Sequence, residues 1–137
     1  MEAEDIFPQS FDDILGTAER FTEKLIQKQD GDSLLAAVWS TVHAREWMTK
    51  WKDVKFDQFP RNFPAWNTLK DICNGTKHAK RNRPTFQRRQ IEWEDLDFWD
   101  NAGHGDRSVW FVEHEGQQRA VSSLCLEVIA EYRKRHG

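Results

Sequence analysis

The sequence is poor in cysteine and contains no long apolar run. Its two cysteines, Cys73 and Cys125, are too few for a disulfide framework, and each lies in an apolar helical pattern where a free thiol behaves as a small hydrophobe. No apolar stretch approaches the ~20 residues needed to cross a bilayer. The acidic start, residues 1–5, lacks the basic and apolar parts of a signal peptide. We therefore expect a cytoplasmic protein without a membrane segment.

Recognisable motifs for cofactors and metals are also missing from the sequence. No His-x3-His or Cys-x2-Cys spacing occurs among its five histidines and two cysteines, so we expect no metal site. The scattered glycines form no phosphate-binding loop, and no Gly-x-Ser-x-Gly nucleophile motif is present. We expect no cofactor.

The composition is that of a globular protein. Hydrophobic residues make up 38% and charged residues 31% of the chain, which is too much apolar material for a disordered protein. Seven tryptophans and nine phenylalanines supply large side chains for a core. A length of 137 residues fits one domain, and we predict a single helical domain over residues 1–137.

Apolar residues at helical spacing predict the first two helices. Ser10 followed by Asp13 is typical of an N-terminal capping box, so the first helix should begin there. Gly31 should end that helix in a left-handed conformation, and Asp32 should cap a second helix over residues 33–52. The predicted apolar line of the second helix comprises Leu34, Leu35, Val38, Trp39 and Val42 and continues with Trp47 and Trp51.

The second half of the chain predicts two further helices and a β-hairpin. A third helix should begin near Pro64 and end either at Gly75 or at about residue 80. The regions around residues 91–93 and 109–112 have the β-branched and aromatic composition of strands, with a turn region at residues 100–106 between them. A last helix is predicted over residues 121–134. The predicted fold is mainly α, a four-helix core with a β-hairpin inserted before the C-terminal helix.

Polar residues at the end of the third helix form the most informative cluster. If the helix continues past Gly75, Asp71, Asn74 and His78 share one face, with Lys77 beside them. His78 can then act as a general acid or base, Asn74 can orient it, and Lys77 can stabilise a phosphate. Alternatively, the helix ends at Gly75, and the polar residues are surface groups or a clamp between helices.

Two residues of the second helix are additional candidates for this site. His43 lies at the edge of the apolar line and can face His78 across the helix pair, and Arg45 can approach the same place. For His43, the simpler alternative is a histidine bonded in the interface between helices.

The segment around His78 resembles the HEPN superfamily, small helical bundles found in bacterial and archaeal toxin–antitoxin and phage-defence systems. Its ribonuclease members carry Arg, commonly a polar residue, and then His after four to six intervening residues. Asn74 and His78 match the last two positions, but Cys73 occupies the place of Arg, and a thiol cannot hold a phosphate as guanidinium does. The stretch from Asn74 to His78, with an upstream helix that bears His43 and Trp47, is also similar to small uncharacterised bacterial proteins.

A basic segment follows the candidate cluster. Residues 77–89 contain six Lys or Arg and no acid, which is typical of a phosphate-binding surface. A solvated surface run is the alternative. The candidate RNA-binding residues are Lys80, Arg81, Arg83, Arg88 and Arg89.

Three functions remain open on these patterns. The first is a non-catalytic HEPN-like protein that binds RNA or a partner protein. The second is an active metal-independent ribonuclease that uses His78, with Lys77 or Arg45 as the cation. The third is a structural or interaction module in which the polar stripe only fixes helix packing. The sequence leaves the oligomeric state open, a dimer included.

Overall fold

A computed structural model of the chain describes residues 7–52, 59, 62–77, 86–90 and 108–136. The helices are α1 (Phe11–Gln27), α2 (Gly31–Lys52), α3 (Pro64–Lys77) and α4 (Val121–His136). The strands are β1 (Phe86–Gln90), β2 (Ser108–His114) and β3 (Gln117–Ala120). The prediction of four helices with an antiparallel hairpin before the last helix is confirmed. Helix α3 continues past Gly75, which decides between its two predicted ends.

The cap of α1 is formed by the residues that the sequence indicates. The Ser10 hydroxyl accepts a hydrogen bond from the backbone N–H of Asp13 at 3.1 Å. The Asp13 carboxylate accepts one from the backbone N–H of Gln9, also at 3.1 Å, one residue before the position expected in a capping box. Both bonds satisfy amide groups that a helix start would otherwise leave without a partner.

The connection between α1 and α2 differs from the prediction in which residue caps the second helix. Asp30, rather than Asp32, is the cap: its carboxylate accepts from the backbone N–H of Ser33 at 2.7 Å, and its carbonyl accepts from Leu34 at 3.0 Å. Helix α2 therefore begins at Gly31, two residues earlier than expected. Gly31 is helical and has no positive φ, because the chain turns through residues 28–30 before it.

The predicted apolar line of α2 is confirmed only in part. Trp47 is half-buried, and the side chain of Trp51 lies outside the described residues. Leu34, Val38 and Val42 are buried, whereas Leu35 is 40% and Trp39 is 53% exposed. Neighbouring residues in a helix point about 100° apart, since one turn takes 3.6 residues, so Leu34 and Leu35 cannot both face the same neighbour. The face that carries Leu34 and Val38 packs in the core with α1, α3 and α4 residues.

Aromatic side chains hold the described part of the α2–α3 connection against α4. Phe59 is buried and packs edge-on against Tyr132, with ring centroids 5.2 Å apart, and against Phe63 at 5.4 Å. Tyr132 also contacts Phe11 of α1 at 5.6 Å. These ring contacts fix Phe59 against the core.

The strands form an antiparallel sheet in the order β1-β2-β3. The predicted strand at residues 109–112 lies within β2, and its hairpin partner is β1, with Phe86 opposite Val112 and Gln90 opposite Ser108. The predicted strand at residues 91–93 and turn at 100–106 lie outside the described residues. A third strand, β3, was not predicted, and a tight turn at Glu115 and Gly116 connects it to β2, with φ angles of 51° and 79°. Positive φ at both central positions is typical of the turns that join twisted strands.

Three polar contacts attach β2 to the α1–α2 connection and to α3. The Trp110 indole donates to the backbone carbonyl of Gln29 at 3.0 Å, and its backbone N–H donates to the Gln29 side chain at 3.2 Å. Thr68 of α3 lies 2.7 Å from the Nδ1 atom of the buried His114. In the part of the chain that the structure describes, no helix has the length and apolar character to cross a membrane.

Candidate functional site

Helices α2 and α3 border a groove of about 790 Å³, which we call the α2–α3 groove. Trp66, in the first turn of α3, lies beside Val42 and Arg45, and the groove extends back to Leu35 on α2 and forward to Asn74 on α3. The two helices therefore run in opposite directions along it. At 1.5 Å per residue, its walls measure about 17 Å on α2 and roughly 12 Å on α3. Its lining residues are Leu35, Ala36, Val38, Trp39, Val42, His43, Arg45, Glu46, Trp66, Lys70, Cys73 and Asn74.

Trp66 joins the two walls of the groove. It is 2% exposed, and its indole N–H donates to the Val42 carbonyl at 3.2 Å. The guanidinium carbon of Arg45 lies 5.2 Å from the ring centroid, and the ammonium of Lys70 lies 5.4 Å from it. Both distances are within the range of cation–π attraction. At the Trp66 end of the groove, two positively charged side chains thus contact the same aromatic ring.

The two cations differ in their surroundings. Lys70 is exposed, and it forms no ion pair with any carboxylate among the described residues. Arg45 is half-buried and close enough to Tyr132 to act on its hydroxyl. Burial raises the pKa of the Tyr132 hydroxyl, and the positive charge of Arg45 opposes this only in part, so the tyrosine stays neutral.

His43 is held between an aromatic ring and an acid. Its imidazole packs against the indole of Trp39 with centroids 4.7 Å apart and planes inclined at 37°. Its Nδ1 atom lies 3.4 Å from a carboxylate oxygen of Glu46, one turn further along α2. The half-exposed imidazole therefore has partners within its own helix and still borders the groove.

The opposite end of the groove is apolar and open. Leu35 and Trp39, the two residues wrongly predicted to be buried, lie four residues apart on α2, and both line the groove. Side chains at this spacing share one face of a helix. Two adjacent large apolar side chains beside a groove are a common feature of binding surfaces.

Cys73 and Asn74 line the groove from α3. Burial raises the pKa of the Cys73 thiol to about 11, so the thiol is neutral at physiological pH. It supplies neither the charge nor the hydrogen-bond donors of the Arg that the HEPN ribonuclease signature has at this position. Asn74 is half-buried and borders the groove.

The predicted site residues are brought together in part. His43, Arg45 and Asn74 line the α2–α3 groove, whereas Asp71 is exposed and is not among its lining residues. The other predicted residues His78, Lys80, Arg81 and Arg83 lie outside the described residues. The side chain of Lys77 is not described either. For Arg88 and Arg89, the structure describes only the backbone in β1.

Lys70 and Trp66 were not predicted as site residues, although their spacing carries a signal. Trp66, Lys70 and Asn74 follow one another at intervals of four, which places them on one stripe of α3. Asp71 lies about 100° away from Lys70 around the helix, which accounts for its absence from the groove.

Among residues 7–52, 59, 62–77, 86–90 and 108–136, no three His, Cys, Asp or Glu side chains cluster so that they could hold a metal ion. No model of a known protein family matches the chain, and neither a curated protein nor a solved structure matches it. The HEPN resemblance stays a prediction.

Proposed function

We propose that this is a non-catalytic, HEPN-like binding protein that engages a partner protein through the α2–α3 groove. The observation that carries the proposal is the exposure of Leu35 and Trp39 beside the groove. Burying these two side chains would be favourable by roughly 25 cal/mol for each Å² of apolar surface removed from water. The toxin–antitoxin or phage-defence setting belongs to the proposal and rests on the resemblance alone.

The groove chemistry favours a protein over RNA as its occupant. Its α2 wall carries the aliphatic side chains of Leu35, Ala36, Val38 and Val42, with a single exposed aromatic, Trp39. Single-stranded RNA is held by successive aromatic rings on which bases stack and by a groove of uniformly positive charge. Here Glu46 places a negative charge beside the cations. Exposed Trp and aliphatic residues beside Arg are typical of protein interfaces.

The absence of catalysis is proposed from Cys73. Phosphate transfer within RNA needs a cation to stabilise the developing charge. At the position where HEPN ribonucleases have Arg, the groove holds a neutral thiol.

A peptide-binding assay tests the proposal. The probe is a fluorescein-labelled amphipathic helix of about 14 residues, long enough for the groove, with Leu on one face and only Gln and Ala elsewhere. We expect saturable binding by fluorescence anisotropy, and Trp39→Ala should weaken it about tenfold or more, as for a central aromatic of an interface.

Leu126→Ala is the matched control, because Leu126 is an exposed apolar residue of α4 that does not line the groove. It should leave the peptide affinity unchanged. Equal loss of affinity in both variants, or no binding to the wild type, would contradict the proposal. A single-stranded RNA oligonucleotide that displaces the peptide from wild type and itself depends on Trp39 would favour RNA.

The active ribonuclease remains a second candidate because of one specific arrangement. Arg45 and His43 of α2 line the same groove as Asn74 of α3, and α3 continues to Lys77. We propose that, if the protein cleaves RNA, Arg45 provides the cation that Cys73 lacks. Cleavage of an RNA pool by the wild type, lost in Arg45→Gln while the thermal midpoint stays above the assay temperature, would support this candidate.

A further inference from the structure

We infer that the groove takes an acidic amphipathic helix of the partner, with apolar side chains on Leu35 and Trp39 and a carboxylate on Lys70. The inference rests on the proposed function and adds the chemistry of the occupant. It follows from the shape of the groove, the spacing of its apolar residues and the position of its charges.

The shape of the groove fits a helix. Its walls are two helices that run in opposite directions, and they extend over about 17 Å and roughly 12 Å. At the rise of an α-helix, this length holds about 8 to 11 residues of a third helix. An amphipathic helix in a groove between two helices is a recurring mode of peptide recognition.

The apolar residues set the spacing on the partner. Leu35 and Trp39 are four residues apart, so they lie about 6 Å apart along the axis of α2. Two apolar side chains at i and i+4, or i and i+3, on a partner helix have the same spacing. The Trp39 indole packs against the His43 imidazole and remains 53% exposed, so it offers apolar surface to a partner.

The charged side chains at the Trp66 end of the groove determine which charged residue the partner helix should carry. Lys70 has no described ion-pair partner, and Arg45 lies against the same ring of Trp66. Among the described residues that line the groove, the only acid is Glu46, which lies beside His43. Lys70 is exposed and has no carboxylate partner among the described residues, so it presents a positive charge at this end of the groove that attracts a carboxylate and repels Lys or Arg.

The distance between the two ends sets the position of the acid. Val42, which bonds Trp66, lies three residues beyond Trp39 on α2, and Arg45 lies six residues beyond it. These separations correspond to about 5 and 9 Å along the helix axis. The carboxylate should therefore lie one to two turns from the apolar residue that contacts Trp39.

Selection from a displayed library tests the inference. The library consists of amphipathic helices with a Leu pair at i and i+4 and with positions one to two turns away randomised, and the selection uses the full chain. We expect Asp or Glu to be enriched over Lys or Arg at those positions. Individual Glu and Lys peptides from the library should then differ at least about fivefold in affinity by fluorescence anisotropy at low salt, because rim charges act less when screened.

Charge reversal supplies the controls. Lys70→Glu should reverse the preference between the Glu and Lys peptides. Lys24→Glu is matched to it, since Lys24 is also an exposed lysine close to an aromatic ring, Phe21, at 5.7 Å, but lies on α1 outside the groove lining. It should leave the preference unchanged.

The outcomes separate the two proposals. If Glu, Gln and Lys peptides bind with equal affinity and all depend on Trp39, the inference that the partner helix is acidic is wrong. Partner binding through the groove would then still stand. No Trp39-dependent binding of any peptide would overturn both. A wild-type dimer that Trp39→Ala converts into monomers, measured by light scattering, would overturn the inference in favour of a second copy of the chain.

Discussion

The indole N–H of Trp66 donates a hydrogen bond to the backbone carbonyl of Val42, 3.2 Å away, and so ties α3 to α2 at the groove. The positive charges of Arg45 and Lys70 both lie within 5.4 Å of the centroid of the same ring. One buried side chain thereby fixes the distance between the two walls and holds the cations of the candidate site.

Trp66→Phe should lower the free energy of unfolding by roughly 1–3 kcal/mol, because it removes the hydrogen bond and part of a buried ring. Urea unfolding measures the change. Trp39→Phe is the matched control, since Trp39 is 53% exposed, and it should change stability by less than about 0.5 kcal/mol. Equal effects of the two substitutions would contradict the assignment of Trp66 to the core.

Val128→Ala should destabilise the fold by about 2–4 kcal/mol, the scale for truncating a buried aliphatic side chain, because Val128 of α4 is fully buried. Leu35→Ala was expected to have the same effect from the sequence, but Leu35 is 40% exposed. We now expect less than about 1 kcal/mol for it, since partly exposed residues lose less transfer energy. Chemical denaturation of both variants checks the contrast, and a larger loss at Leu35 would mean that the groove is closed in solution.

Raising the pH above 9 should destabilise the protein through its thiols. Burial raises the pKa of Cys125 from 9.0 to about 12 and that of Cys73 from 9.0 to about 11. Above pH 9 the unfolded chain releases protons that the folded protein keeps, so the free energy of unfolding falls as the pH rises. This contribution is fully present below pH 9 and is lost as the pH approaches the folded values.

Cys125→Ala isolates the contribution of the more deeply buried thiol. Between pH 8 and pH 10, its stability should fall less than that of the wild type by on the order of 1 kcal/mol, the energy of about one pKa unit. Urea unfolding at both pH values gives the change in the free energy of unfolding with pH for each protein. These changes are compared, rather than the stabilities themselves, because the substitution also alters the packing of the core. Parallel slopes would show that Cys125 ionises as readily in the folded protein as in the unfolded chain.

We predict weak, salt-sensitive RNA binding by the basic segment at residues 77–89. Replacing Lys80, Arg81 and Arg83 with Gln should lower the affinity and reduce the salt slope by about 2, since each phosphate contact on a single strand contributes about 0.7. Fluorescence anisotropy of a labelled RNA over a salt series measures both. The control variant removes as many charges elsewhere, at the exposed Lys24, Lys28 and Lys134. No binding at low salt, or the same loss in the control, would exclude a specific role of the segment.

His78→Ala should not abolish any RNA cleavage, because we expect the wild type to have none. Cys73 stands where a ribonuclease of the HEPN type has Arg, and its thiol is neutral. If His78 instead bonds neighbouring polar groups, the substitution should cost roughly 1–3 kcal/mol. Cleavage of an RNA pool and the thermal midpoint of unfolding, measured side by side for the wild type and His78→Ala, test this. Wild-type cleavage that disappears in an equally stable variant would establish an enzyme.

Local signals predicted the helices well. The cap at Ser10 depends on residues no more than four positions apart, and the last helix was expected over residues 121–134 and is found at Val121–His136. The second cap was misplaced because Asp30 and Asp32 offer the same carboxylate two residues apart. Which of them caps depends on where the chain turns, and contacts of Gln29 with Trp110, 81 residues away in sequence, help to set that turn.

The strands were predicted less completely than the helices. Residues 109–112 carry enough β-branched and aromatic residues to indicate a strand, and they lie in β2. Their partner Phe86–Gln90 has four polar residues out of five, and β3 is nearly as polar, so neither has an apolar pattern that indicates a strand. Both become strands by pairing with β2.

The sequence by itself determined the helical class, the helix order and the polar character of the end of α3, because these depend on spacing and capping within a few residues. Only the tertiary structure decided that Leu35 and Trp39 face outward, that α3 continues past Gly75, and that Asn74 shares a groove with Arg45 and His43 rather than with Asp71. The physical reason is that α2 is apolar on more than one side: a helix with two apolar faces can bury either, and its neighbours α1, α3 and α4 select which one.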